Sequence, residues 1–326
     1  MIRICIVLPA FNDWESIQQL LAELGKTGLE DGANIVRYRV IVVDDSSSTP
    51  APELWPDIQA SSVDSLKIVR LVCNVGHQRA IAVGLVVSRS EAESCSAVIV
   101  MDGDGEDRPV DIARLLAASA TAPGSIVCAR RARRSERFAF RTFYRIYKFL
   151  FGGLTGTHID FGNFCLIPID ALRAVTSQAG IWNHLAATLT RSRVPLVKID
   201  TRRGKRYAGQ STMNFVSLVV HGLSAVAVYT DVVLVRLALM AMLIAGCAFA
   251  GLVATVCVRL FTNSAIPGWA SSVAGTLLIL LSQAVLIPGI GLFIVLNQRT
   301  ARTVVPVIDA PNYVESIRSM YSRSDT

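Results

Sequence analysis

Charged residues are scarce in this 326-residue chain: Asp, Glu, Lys and Arg make up 17% of it, against about 25% in an ordinary soluble domain. Two stretches, residues 237–258 and 260–298, hold none at all. There is no Cys-x-x-Cys pair, no Walker A loop and no Rossmann Gly-x-Gly-x-x-Gly. The seven cysteines (Cys5, Cys73, Cys95, Cys128, Cys165, Cys247 and Cys257) are an odd number scattered singly through apolar runs, which suits reduced, buried thiols in a cytoplasmic catalytic domain. The first residues, MIRICIVLPAFND, carry an apolar run too short for a signal sequence; it ends in Pro9, Asn12 and Asp13 and reads as a first strand in the cytoplasm.

What is present in excess is apolar: 52% of residues are hydrophobic and the mean hydropathy is +0.46. That excludes disorder, collagen and a disulfide-stapled miniprotein. The length corresponds to about two domains of roughly 150 residues. At about 1.5 Å per residue the stretch 237–258 reaches roughly 33 Å, enough to cross a hydrocarbon core of about 30 Å. The hydrophobic excess is therefore mostly a membrane signal.

Residues 1–130 alternate β-rich and helix-like runs. Strands are expected at Ile2–Leu8, Val40–Val43, Leu66–Leu71, Ala97–Met101 and Ile126–Cys128, with helices near 14–24, 77–89 and 110–119. Val- and Ile-rich runs, apolar on both faces, indicate a doubly wound, mostly parallel α/β sheet covered by helices. Ligands of such sheets lie beyond the carboxyl ends of the strands, where the polar clusters Pro9–Asp13, Asp44–Ser48, Asn74–Arg79 and Asp102–Asp107 fall.

Residues 130–148 hold seven arginines and a lysine against Glu136 alone. Phe140, Phe143, Tyr144, Tyr147, Leu150 and Phe151 share one helical face, and Arg137, Arg141, Arg145 and Lys148 share another. This reads as an amphipathic helix at an anionic membrane surface, the alternative being an ordinary surface helix packed on the sheet. A catalytic domain over 1–210 is expected to pass through an interfacial helix at 211–231 into spans at 232–258 and 271–297, the second interrupted by Pro288 and Gly289. The intervening loop has Arg259 as its charged residue, whereas basic residues precede the first span and follow the second, so both termini are expected in the cytoplasm. Residues 298–326 read as a cytoplasmic tail.

The run Asp102-Gly103-Asp104-Gly105-Glu106-Asp107 offers carboxylates at alternate positions after a strand, hard oxygen donors suited to Mg2+ or Mn2+ bridging a diphosphate. A calcium loop counted from Asp102 would need Gly at 107 and Glu at 113; the chain has Asp107 and Ala113. Asp44 and Asp45 end another strand, where a carboxylate meets a nucleobase or ribose or simply terminates the strand. Asn74–Ala80 opens a helix whose free N–H groups favour anions, with His77 as a cap-region residue or a base.

In order and spacing, Pro9-Ala10-Phe11-Asn12-Asp13, Val43-Asp44-Asp45-Ser46-Ser47, Asn74-x-Gly76-x-x-x-Ala80, Asp102-x-Asp104 and Glu106-Asp107-x-Pro109 resemble the family-two inverting glycosyltransferases of the GT-A fold. Gly162-Asn163-Phe164, Arg206-x-x-Gly209-x-Ser211 and the two terminal spans narrow the resemblance to the polyprenyl-phosphate glycosyltransferases, including dolichol-phosphate mannose synthase and bactoprenol glucosyl transferases. The resemblance implies that Pro9, Phe11, Asp13, Val43 and Asp45 hold the nucleoside, with Phe11 and Asp13 replacing a usual Tyr and Glu. It implies a metal at Asp102, Asp104 and Glu106, with Asp102 and Arg206 on the donor and Arg130, Arg131 and Ser211 on the acceptor phosphate. The family's Gly-Asp-Phe-Arg-Leu reads Gly162-Asn163-Phe164-Cys165-Leu166 here. Asn163 cannot act as a base, and Asp160 is the nearby substitute unless a lipid phosphate, with a second pKa of about 6 by analogy with phosphorylated side chains, needs none. The Ser-Lys pair reads Ser211-Thr212.

The expected function is transfer of a hexose from UDP- or GDP-sugar to polyprenyl (undecaprenyl) phosphate in the cytoplasmic membrane, with inversion and a Mg2+ or Mn2+ ion. The partners are the nucleotide sugar, the lipid and the membrane, with a homo-oligomer possible. A processive polysaccharide synthase is disfavoured by the two spans and the missing Gln-x-x-Arg-Trp, and a non-catalytic binder of nucleotide sugar or lipid is the other alternative. Nucleic acid is not expected, because the +7 net charge sits on the amphipathic segment and before the spans.

Overall fold

The computed structural model describes residues 2–26, 30–31, 34–55, 62–131, 148–208, 215–262, 268–300 and 302–323. Most of the basic segment expected over 130–148, the Arg131 side chain, Ser211 and residues 263–267 of the inter-span loop expected near Thr262–Trp269 lie outside the described residues. The chain divides into two units: Met1–Arg141, Ile159–Val228 and Val304–Thr326 form one, and Thr142–His158 with Tyr229–Thr303 form the other.

The first unit is built on a mixed sheet. Its strands are β1 (Ile2–Ala10), β2 (Glu30–Asp31), β3 (Asn34–Asp44), β4 (Val63–Leu71), β5 (Ala97–Val100), β6 (Ile126–Arg131), β7 (Cys165–Pro168), β8 (Leu196–Thr201) and β9 (Val314–Ser322). They run in the order β8-β6-β7-β5-β1-β3-β4-β9, and β2 pairs with β3. The pairs β1–β3, β1–β5, β3–β4 and β6–β8 are parallel, as both-face apolar runs require. β7 lies antiparallel between β5 and β6.

Strand periodicity divides the core into two layers. Ile4, Ile6 and Leu8 of β1, Val40 and Val42 of β3 and Ile99 of β5 face helices α1 (Trp14–Lys26) and α3 (Ile112–Thr121). Cys5, Val7, Ile41, Val43, Val98 and Val100 face α2 (His77–Val87) on the other side. All are at most 1% exposed, and each such Val or Ile contributes about 1.5–3 kcal/mol. Helix α2 approaches closely enough that a Cβ on Gly84 would lie 2.9 Å from Val43 Cγ2 and closer still to Val7. Below α2, Glu91 is buried and receives Arg39 of β3 and Lys67 of β4.

The stretch expected to be a tail instead returns to the sheet. β9 pairs antiparallel with the edge strand β4, from Ser65 opposite Ser322 to Leu71 opposite Val314. Its composition hides it: main-chain ladder bonds, the Arg70–Glu315 ion pair and packing of Met320 and Tyr321 on the core supply the attachment, with little apolar periodicity.

The short helices α5 (Ile169–Thr176) and α6 (Leu185–Arg191) and the apolar α7 (Phe215–Ala227) complete the first unit. The second unit holds helical residues 148–155 (α4) and the long helices α8 (Thr230–Phe261) and α9 (Trp269–Thr300). α8 and α9 are each 32 residues, about 48 Å at 1.5 Å per residue, and both are long and apolar enough to cross a membrane. They pair antiparallel, Gly251 facing Leu277 and Gly291 facing Leu234. α9 runs through Pro288 without the expected interruption: α helices in an apolar setting tolerate proline where neighbours compensate the lost hydrogen bond.

Candidate active site

The polar clusters meet at the carboxyl ends of β1, β3 and β5. At the end of β1, Asn12 adopts φ 58° and its Oδ1 accepts from the amides of Ser48 (2.9 Å) and Thr49 (3.2 Å), welding the β1 and β3 turns together. Phe11 projects beside it, 48% exposed. Asp13 is exposed, and its carboxyl pKa is raised by desolvation, against Arg206 and His77, whose charges reach it. Pro9 and Val43 are buried backbone positions opposite each other in the β1–β3 ladder.

Asp44 and Asp45 divide their work. Asp44 Oδ1 accepts from Ser47 N (2.8 Å) and its Oδ2 pairs with Arg70. Asp45 receives both Val75 N (2.7 Å) and Gly76 N (2.9 Å), fixing the start of α2 to the end of β3; burial raises its pKa against these two amides. The expected nucleoside contact Asp45 thus holds the turn that presents His77.

At the end of β5, Asp107 Oδ2 accepts from Asp102 N (3.0 Å), which closes the acidic turn on itself. Asp104 Oδ1 accepts from Glu106 N (2.9 Å) and its Oδ2 from Arg206 Nη2 (2.7 Å). Glu106 receives Arg206 Nε (3.3 Å) and Arg203. Desolvation raises the Asp104 pKa, with Asp102 and Glu106 adding to it and Arg206 opposing.

Residues 202–208 form a strap over this turn. Gly204 N donates to Glu106 O (2.8 Å), Tyr207 N to Asp104 O (3.0 Å), and Tyr207 Oη to Glu23 Oε2 (2.6 Å). Gly105, at φ 87°, is where the strap touches: a Cβ there would lie 2.6 Å from Tyr207 Cε2.

His77 Nε2 lies 3.2 Å from Asp102 Oδ1 and 3.1 Å from Asn163 Nδ2. Desolvation favours the neutral ring, but Asp102, Asp104 and Asp107 together outweigh it and raise the His77 pKa. Gln78 Nε2 donates to Asn163 Oδ1 (3.0 Å), and Gln78 Oε1 accepts from Leu185 N (2.8 Å), so Asn163 sits inside the site as a hydrogen-bonding spacer.

Asp160 stands elsewhere on the rim. It receives Lys198 Nζ (2.6 Å) and Arg130 Nη1 (3.5 Å), and Arg130 Nε also binds Asp200 (2.7 Å). Desolvation would raise the Asp160 pKa, but the hydrogen bonds and charges of Lys198 and Arg130 hold it below the usual carboxylate range, a poor setting for a general base.

The structure therefore unites Asp13, Asp102, Asp104, Glu106, Asn163 and Arg206 around His77, with Asp160 and Arg130 in a separate ion-pair network. Sequence reasoning missed the roles of Gln78, Arg203, Tyr207 and Lys198. The surplus of Arg and Lys over 198–206 was the signal for Arg203 and Lys198, and Gln78 lay inside the polar cluster Asn74–Arg79.

Among the described residues, no group of three or more His, Cys, Asp or Glu side chains is arranged to hold a metal ion. Mg2+ is commonly held by one or two carboxylates plus substrate phosphates, and the hard oxygens of Asp102 and Asp104 fit that set. Glu106, the third expected ligand, pairs with Arg203 and Arg206, and Arg206 also pairs with Asp104.

Residues 5–173 match the family described as Glycosyl transferase family 2. Among curated relatives, an undecaprenyl-phosphate 4-deoxy-4-formamido-L-arabinose transferase of Proteus mirabilis is 24% identical over 67% of this chain and 64% of the relative, just under two thirds of its length. A protein of the same name from Aeromonas hydrophila is 24% identical over 95% of this chain and 92% of its own. Among solved structures, glucosyl-3-phosphoglycerate synthase of Mycobacterium tuberculosis, in complex with Mn2+, UDP-glucose and phosphoglyceric acid, aligns with TM-score 0.49 at 15% identity, over 71% of this chain and 80% of that one.

Proposed function

This chain belongs to glycosyl transferase family 2, and from that premise we propose that it moves a hexose from a UDP- or GDP-sugar to polyprenyl phosphate at a membrane, with inversion. Its mixed-sheet α/β fold is GT-A-like. The acceptor class is supported by relatives named for undecaprenyl phosphate and by two helices able to hold the chain in the same bilayer as such a lipid. In this reading α8 and α9 form a transmembrane hairpin, and the sheet unit works on the cytoplasmic side.

The observation that carries the reading is the Asp102–Asp104 pair at the end of β5, with His77 on one side and Arg206 on the other. Phe11 and Asp13 line the donor nucleoside, and Arg206 reaches the diphosphate. A divalent cation held by Asp102 and Asp104 would neutralise charge on the departing diphosphate.

The acceptor phosphate oxygen attacks the anomeric carbon as the bond to the nucleoside diphosphate breaks on the opposite face. A phosphate monoester is largely ionised at neutral pH, so no protein base is required. That agrees with Asn163 standing where the family carries Asp and with Asp160 bound to two cations. Arg130 and Arg131, the last two residues of β6, steer the phosphate.

The test is incubation of the purified full chain with radiolabelled nucleotide sugars and undecaprenyl phosphate. A lipid-linked monophosphosugar is expected from at least one donor, with product falling at least a hundredfold in Asp104→Ala. No lipid product from any common donor, or undiminished product from Asp104→Ala, would refute the proposal.

A further inference from the structure

Three of the chain's four histidines, His77, His184 and His221, belong to one chain of contacts. His77 touches Asp102 and Asn163; Asn163 is bonded by Gln78; Gln78 accepts from Leu185 N, the first residue of α6. His184 caps that helix, its Nδ1 accepting from Ala187 N (3.3 Å), which leaves the ring proton on Nε2. The His221 ring lies against it, with centroids 4.5 Å apart.

His221 is the one ionisable side chain on α7, whose sequence is FVSLVVHGLSAVA. The polarity of this helix is reversed relative to a helix packed on a soluble core. Val216, Val220 and Leu223 are more than half exposed, whereas Ala225 is buried and His221 is turned inward against His184. An outward apolar stripe with an imidazole on the inner face fits a ligand that is apolar at one end and polar at the other.

We propose that His221 is an acceptor-binding residue, donating an imidazole N–H to the phosphate monoester of the lipid while the exposed apolar stripe of α7 lies along its hydrocarbon chain. This rests on the lipid acceptor proposed above. The inward ring lies on the contact path that runs from His184, at the start of α6, through Leu185 and Gln78 to Asn163 and His77. Burial, and then His221, pushes the His184 pKa down to about 3; burial, and then His77, lowers that of His221. The pair therefore stays uncharged at neutral pH, which lets the rings stack closely and still offer N–H donors.

The experiment uses the full chain in detergent, with the nucleotide sugar that the wild type accepts, and undecaprenyl phosphate varied at saturating donor. His221→Leu is expected to raise KM for undecaprenyl phosphate about tenfold or more, as loss of a hydrogen bond to a charged group implies. KM for the nucleotide sugar should stay within twofold. His221→Gln or His221→Asn, which keep an N–H donor near Nε2 or Nδ1, should recover most of the loss. An unchanged lipid KM in His221→Leu overturns the proposal. So does a parallel rise in both KM values with no recovery in Gln or Asn, the mark of a packing role. A wild type that makes no lipid-linked product with any donor removes both readings, whereas failure confined to the His221 variants removes only this one.

Discussion

Replacing Gly105 with alanine would test whether the 202–208 strap is held on the acidic turn by fit. Gly105 sits at φ 87°, and forcing an L side chain into that region costs about 1–2 kcal/mol. The new methyl would lie 2.6 Å from Tyr207 Cε2, so the ring must move. Moving it breaks the Tyr207 Oη to Glu23 hydrogen bond (2.6 Å), which is solvent-exposed and therefore worth about 1 kcal/mol. Burial, with Glu23 adding, raises the Tyr207 pKa, so the phenol is a proton donor throughout the working pH range.

The two costs come to about 2–3 kcal/mol, all of it falling between Asp104 and Glu106 or on the strap above them. If donor binding needs both in place, kcat/KM for the nucleotide sugar falls about 30- to 150-fold at roughly 1.4 kcal/mol per factor of ten. Initial rates on the purified full chain measure this, and thermal unfolding in parallel separates local displacement from global loss. Tyr207→Phe removes the hydroxyl alone and should cost about fivefold. The double variant Gly105→Ala/Tyr207→Ala relieves the collision but keeps the backbone penalty and also lacks the hydroxyl, so by the same costs it should lose about as much as Gly105→Ala. Wild-type kcat/KM in Gly105→Ala, or an equal loss in Tyr207→Phe, would refute the reasoning.

Two further outcomes follow from ion pairs. Glu91→Ala leaves Arg39 and Lys67 facing each other without their buried partner and should destabilise the sheet unit by about 2 kcal/mol, a figure discounted because both cations are partly exposed. Thermal unfolding should show it as a drop of roughly 4–8 °C, and no drop would sink the idea. Desolvation acts to raise the Glu91 pKa, but Lys67 and Arg39 prevail and hold it below the ordinary 4.5. A depressed folded pKa gives stability that is present above 4.5 and lost as pH falls through the folded value, so wild type and variant should converge in acid. Arg206→Ala removes the cation on Asp104 and Glu106 and should raise KM for the nucleotide sugar tenfold or more; titration calorimetry with the nucleotide checks it, and unchanged affinity would refute it.

The parallel strands were legible because burial on both faces leaves runs such as ICIVL and VIVV that little else explains. β7 and β9 were not. β7 has four residues, and β9 is an edge strand whose attachment is mainly backbone, which composition cannot reveal. At the site, the order of the clusters was readable because each ends a strand. Their partners were hidden by distance along the chain: Arg203 meets Glu106 from 97 residues away, and Arg206 meets Asp104 from 102. Asp160 and Asn163 lie close in sequence, yet their side chains join different networks, a matter of side-chain direction that no spacing encodes. His221 carried a readable signal, a single imidazole in an apolar helix.

The return of the chain as β9 makes the α8–α9 hairpin an insertion within the sheet unit and not an appendage to it. The ladder between β4 and β9 joins residues as far apart as Ser65 and Ser322, so the last strand of the sheet cannot be laid down until the hairpin has been synthesised. Lengthening that connection by residues 229–303 costs only roughly 0.3 kcal/mol in closure entropy, so the detour weakens the finished fold little. The cost is one of timing. Until β9 arrives, β4 presents an open edge able to pair with another chain, and a soluble fragment cut before α8 would keep that edge permanently. Completion of the sheet thus reports that the α8–α9 hairpin has been made.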